Sequence, residues 1–157
     1  MIEQIFTFFT LEMIYLWLNL GVLPFWFMLI FFPQSQISRV FITSIFPILV
    51  LSLVYIYLLY IAYLDSYDFL INLSLYLGFE EILNLFENPS FLILFWVHFL
   101  GINLFCGGWI VKDSQMLQMN KFLVSLPLVI TYLVGPLGVF VYWIIRLFYA
   151  KRISLYE

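Results

Sequence analysis

Charge is what this sequence has least of. Only 10% of its 157 residues are Asp, Glu, Lys or Arg, where a soluble domain carries about 25%. Six Lys and Arg with nine Asp and Glu cannot coat a globule of this length, which excludes a water-exposed single domain. The net charge of −3 and the lack of a basic face exclude a nucleic-acid interface. One cysteine, Cys106, permits neither an internal disulfide nor a cysteine metal cluster. One histidine, His98, excludes the multi-imidazole iron sites of membrane hydroxylases and desaturases. Phosphate-binding loops, dinucleotide glycine patterns and nucleophile elbows are also missing. No metal and no cofactor are therefore expected. Met1-Ile2-Glu3-Gln4 lacks the positive start of a secretory signal, so insertion by the first span, or after loss of a leader, is expected.

What remains is apolar. Aliphatic and aromatic residues make up 66% of the chain, aromatics alone 22%, and the mean hydropathy is +1.11. The solvent of such a chain is lipid. A bilayer core of about 30 Å takes about 20 apolar helical residues, and four stretches qualify: about 11–32, 40–62, 91–111 and 122–145. The expected fold is an all-α integral membrane protein, one membrane domain over 1–157 with four transmembrane helices. Pro24, Pro127 and Gly135-Pro136 fall inside spans, where neighbouring helices can re-satisfy the freed carbonyls. Ser90 is expected to cap the third span, and the tyrosines at 55, 57, 60 and 63 read as an interfacial belt. Between spans two and three, residues 65–87 alternate apolar clusters with acids. Ile82, Leu83 and Phe86 share one face, so an interfacial amphipathic helix broken at Gly78 is expected. Four crossings put Arg146, Lys151 and Arg152 on one side and Arg39, Lys112 and Lys121 on the other. That tie leaves the orientation open.

Polar groups at membrane depth are costly, which makes each a candidate site. Glu12, Tyr15 and Asn19 recur at i, i+3 and i+7, and Trp26 continues the stripe. By span arithmetic His98 lies at the depth of Tyr15 and Asn19, with Glu12 at the mouth and Arg146 at the rim of an acid–base pocket. His98, Tyr15 and Glu12 are the candidate catalytic groups, because imidazole titrates nearest neutrality. The competing reading is that these groups merely satisfy one another between helices. Asn19 and Asn103 read as interhelical glue or as ligand contacts. His98 shares a face with Gly101, Phe105, Gly108 and Trp109, a face fit for a close helix or a flat apolar ligand. Asn103 diverges from it by about 140° on a straight helix.

These residues resemble a known family. Trp96-Val97-His98-Phe99-Leu100-Gly101-Ile102-Asn103-Leu104-Phe105-Cys106-Gly107-Gly108-Trp109-Ile110, then Asp113-Ser114, is similar to the central motif of the abscisic-acid-deficient-four-like family, which includes plant neoxanthin synthase and bacterial members. Asn19-Leu20, Leu23-Pro24-Phe25-Trp26, Pro33 and Arg39 resemble its first-span signature. Leu85-Phe86 with Pro89, and Gly135-Pro136-Leu137-Gly138 with Tyr142 and Arg146, follow in the family's order. The family usually carries an acid where this chain has Asn103 and a base where it has Gly108. The resemblance implies a four-span bacterial inner-membrane or plastid protein linked to carotenoid metabolism. It implies either a cofactor-free isomerase of a carotenoid or isoprenoid, or a non-catalytic subunit that binds pigment or lipid. Membrane lipid, a carotenoid or other isoprenoid ligand, and an oligomeric or membrane-complex partner are the expected associates; nucleic acid is not. The isomerisation implied needs a proton delivered to an epoxide oxygen and another removed from the polyene.

Overall fold

A computed structural model describes residues 9–38, 44 and 46–150. Its elements are helical, and no strand occurs among the described residues. In chain order they are α1 (Leu11–Phe31), α2 (Phe46–Leu64), a 3-10 helix (Phe69–Tyr76), α3 (Phe79–Glu87), α4 (Pro89–Met116), α5 (Lys121–Leu133) and α6 (Gly135–Ala150). Three of them, α1, α2 and α4, are long and apolar enough to cross a membrane. The first residues expected for span two, and Arg39 before it, lie outside the described residues.

Helix ends follow from local chemistry. Thr10 Oγ1 accepts from Met13 N (3.3 Å) at the start of α1. The last carbonyls of α1 are met by Ser38, whose hydroxyl donates to Phe32 O at 2.7 Å. At α4 the expected cap is corrected. Asn88 Oδ1, not Ser90, accepts from Ser90 N (2.9 Å) and Phe91 N (3.2 Å), while Pro89 occupies the first helical position, where its missing N–H costs nothing. The other end of α4 turns through Gln118 (φ 51°), with Met119 N donating to Ser114 O. Asn120 Oδ1 then caps α5 by accepting from Phe122 N at 3.0 Å.

Packing divides the chain into two compact units: residues 1–21 with 50–100, and residues 22–49 with 101–157. In the first, Ile14, Leu18, Leu51, Leu58, Ala62, Leu85, Leu94 and Val97 are buried. Asp68 caps its 3-10 helix through Leu70 N (2.9 Å), and Gly78 separates that helix from α3, where the break was expected. Leu85 turns inward, and Phe86 packs edge-on to Phe91 and Phe95 with centroids 5.4 and 4.8 Å apart. Leu70, Leu73, Tyr76, Leu77 and Phe79 stay exposed.

The second unit holds the main departure from expectation. Residues 122–145 form two helices folded back on each other rather than one continuous span. Seven residues of straight helix separate their ends by about 10 Å, yet a Cβ on Gly138 would overlap the Thr131 hydroxyl and backbone. Contacts along the chain trace the reversal. Ser125 Oγ donates to Ile30 O (2.7 Å), near the end of α1. Tyr132 then meets Trp26 (centroids 5.4 Å), one turn back along α1. Gly135 lies against Asn103, in the middle of α4, and Tyr142 and Arg146 reach Asp113 near its end. So α5 descends to the mid-length of α4 and α6 climbs back beside it. The ends of α1 and α4 are tied together: Gln34 Nε2 donates to Met119 O (2.8 Å), and Gln115 Nε2 donates to Pro33 O.

Candidate functional site

The described buried polar side chains are Ser38, Asn103, Asp113, Ser114, Thr131 and Arg146, and all belong to the second unit. Lipid tails are as apolar as the side chains they would replace, so polar groups retained in such an interior need either partners or a task. Asp113 has partners. Its Oδ2 accepts from Tyr142 Oη at 2.6 Å and from Arg146 Nε at 2.9 Å, with both ionised side chains nearly sealed from the surface. Tyr142 and Arg146 stand one helical turn apart on the face of α6 that also buries Gly135 and Gly138. Trp109 closes over Tyr142 edge-on, with centroids 5.5 Å apart and planes at 88°. The cluster lies near the end of α4 and anchors the returning hairpin.

About ten residues before Asp113, or about 15 Å of helix rise, stands Asn103, 2% exposed. Its Nδ2 is buried with no hydrogen-bond partner. Its Oδ1 lies on Gly135, the first residue of α6, where any Cβ would overlap it. Gly135 is therefore needed for close approach rather than for a turn conformation. One turn further along the same face, Gly107 receives the edge of Trp26, with Cη2 2.8 Å from where a Cβ would stand. Thr131 Oγ1 donates to Pro127 O (2.7 Å), one turn back on its own helix, which satisfies the buried hydroxyl.

The residues expected to form one pocket fall in both units. Tyr15 and Asn19 do meet: Asn19 Nδ2 donates to Tyr15 O at 2.7 Å, one turn back on its own helix. Tyr15 is 47% exposed and lies over Trp96, centroids 5.5 Å apart. Glu12 and His98 are exposed in the same unit. Arg146 is corrected: it pairs with Asp113 at the level where α1 ends, because α6 runs alongside the second half of α4 instead of back across it. Trp26 is a buried packing residue, Gly101 and Trp109 are half-buried, Gly108 is buried, and Phe105 is exposed. Asp113 and Tyr142 stand in the quoted motifs but were not expected as site residues. The available signal was an acid in the last turn of an apolar helix, and a Tyr–Arg pair at i, i+4 able to meet it.

Solved structures give no match. Among curated proteins, the chain is similar to "Protein ABA DEFICIENT 4, chloroplastic" of Arabidopsis thaliana, at 26% identity over 102 residues. That match covers 64% of this chain and 46% of the relative, so the chain spans about half the relative's length. The sequence pattern of the family described as ABA DEFICIENT 4-like matches residues 13–142, and the chain belongs to that family.

Proposed function

We propose that this is a carotenoid-linked membrane protein that holds a polyene or isoprenoid inside the bilayer, with three crossings and a re-entrant hairpin. The observation that carries the topology is Gly138 against Thr131. Irregular backbone at membrane depth is tolerated where protein covers it, and Asn103 covers Gly135. With α5 and α6 entering and leaving on one side, Lys112, Lys121 and Arg146, the basic residues among the described ones, all fall on that side. Glu12, Asp65, Asp68, Glu80, Glu81 and Glu87 fall on the other. All the described basic residues then share one side, and the positive-inside rule makes the hairpin side cytoplasmic or its equivalent. Residues 65–87, with exposed Leu70, Leu77 and Phe79 beside acidic positions, lie in the opposite interface as an amphipathic segment.

Binding without turnover fits this chain best. Its buried carboxylate, Asp113, is occupied by Arg146 and Tyr142, and an amide stands at position 103. An amide cannot carry a proton at neutral pH. The family relationship and the resemblance to neoxanthin synthase supply the ligand class. A second reading, an intramolecular isomerase, is favoured by the 2.6 Å Tyr142–Asp113 contact, a proton donor and acceptor already aligned. Cells making epoxy- and hydroxy-carotenoids should be transformed with the chain and their pigments separated chromatographically. Unchanged pigment that purifies with the protein is expected. A new isomer supports the isomerase, and unchanged cellular pigment together with purified protein that carries no isoprenoid overturns both.

A further inference from the structure

We infer that the apex of the α5–α6 hairpin is a mid-membrane binding site for a keto oxygen on a long apolar ligand, with Asn103 Nδ2 as its hydrogen-bond donor. Asn103 stands at the centre of α4, with 14 residues before it and 13 after it in that helix, so a crossing α4 puts it about 20 Å from either end. The first turn of α6 begins beside it, and the first amides of a helix have no intrahelical acceptor and carry about half a positive charge. Of the two amide atoms, Oδ1 is the one on Gly135, while Nδ2 stands off at 3.6 Å from a Cβ placed there. The amide carbonyl therefore faces the first residue of α6 and the amino group points away from it. Nδ2 is left buried and unpaired, and a buried donor without an acceptor is destabilising. Half-helices ending at membrane mid-depth are a recurrent way of building a ligand site.

The chemistry of the site selects the ligand. A donor N–H takes an acceptor oxygen, so an apolar hydrocarbon gains nothing there. A carboxylate would bring a full charge to mid-membrane depth, which an amide and a helix end do not neutralise. A neutral conjugated ketone, as in a keto-carotenoid or an isoprenoid quinone, offers the acceptor without the charge. Leu133, Val134 and Leu137 at the apex are exposed, so entry to the buried Nδ2 is lateral, past apolar side chains. This inference rests on the reading that the chain holds a polyene or isoprenoid, and it adds which end group is recognised.

The test uses the full chain in detergent and follows quenching of tryptophan fluorescence, since Trp26 lies one turn from Asn103 along the packed face. Canthaxanthin, which differs from β-carotene by two keto groups, should bind about fivefold to tenfold more tightly, the worth of one net hydrogen bond. Its carbonyl stretch should fall on binding. In Asn103→Leu the preference and the infrared shift should both vanish, with β-carotene binding unchanged. Ligand-free Asn103→Leu should melt no lower than wild type, because it removes an orphaned donor. Decylubiquinone and menaquinone-4 report the source of the ketone: competition with canthaxanthin makes quinones occupants, and its absence leaves keto-carotenoids. Equal affinity for the two carotenoids overturns the site while leaving pigment binding intact. No binding of any probe overturns the site and the proposed function together. A lowered melting temperature in Asn103→Leu with unchanged canthaxanthin preference makes Asn103 a packing residue.

Discussion

Gly138 sits on Thr131: the backbones of the two residues are in contact because the glycine has no Cβ to keep them apart. That approach turns an apolar stretch long enough for a span into a hairpin of helices of 13 and 16 residues. Neither is long enough to cross a core that takes about 20 helical residues. The position of each terminus depends on it.

The termini should therefore lie on opposite sides of the membrane. In a Cys106→Ser background, single cysteines at positions 2 and 156 should label with an impermeant reagent from different faces. Labelling from one face would mean that α5 and α6 cross together as a fourth span.

Gly138→Val should separate α5 from α6, since the added side chain meets Thr131 backbone and not a flexible tip. Overpacking of this kind costs about 1–3 kcal/mol and sometimes more. Gly21→Ala is the matched control, because nothing lies within 4 Å of a Cβ there. It should be neutral or stabilising by up to about 1 kcal/mol. Thermal melts in detergent read both, and equal shifts would remove the hairpin contact as the cause.

Breaking the Asp113–Arg146 pair should be severe. Both side chains are nearly sealed, 4% and 7% exposed, and removing one partner of such a pair costs about 3–5 kcal/mol because the other charge stays buried. Arg146→Ala should lower the melting temperature well beyond Lys151→Ala or Arg152→Ala. Asp113→Asn with Arg146→Gln, which removes both charges, should recover part of the loss. Equal effects from all three basic positions would mean that Arg146 holds nothing the others do not.

Much of this was legible in the sequence. Hydropathy places α1 and α4 to within a few residues, and the break at Gly78 is readable because glycine interrupts a periodic pattern. The caps are less so: Ser90 and Asn88 both suit a helix start, and Pro89 between them decides for Asn88 by taking the first helical position. Direction is what hydropathy lacks. Gly135-Pro136 announces an interruption, but a kink and a reversal have the same apolar length, and only the fit of Gly138 on Thr131 separates them. Arg146 was placed at the wrong end of α4 for this reason alone. Asp113 follows the same logic, since its partners lie 29 and 33 residues away across that reversal.

His98 and Asn103 separate the two places where polar chemistry could sit. His98 is exposed in the first unit, and Asn103 is buried in the second. His98→Ala removes no buried hydrogen bond of the described structure, so it should leave insertion, melting temperature and co-purifying pigment unchanged. Asn103→Asp puts a carboxylate in place of the buried amide. In a binding protein it should weaken pigment retention and lower stability, since an ionised carboxylate at that depth costs about 2.5–3.5 kcal/mol on insertion scales. Pigment quantified per mole of purified protein, together with the melting temperature, reads both variants. Loss of pigment in His98→Ala would move the site to the Tyr15–His98 level. A new carotenoid isomer in Asn103→Asp would show that the acid alone separates this chain from a catalyst.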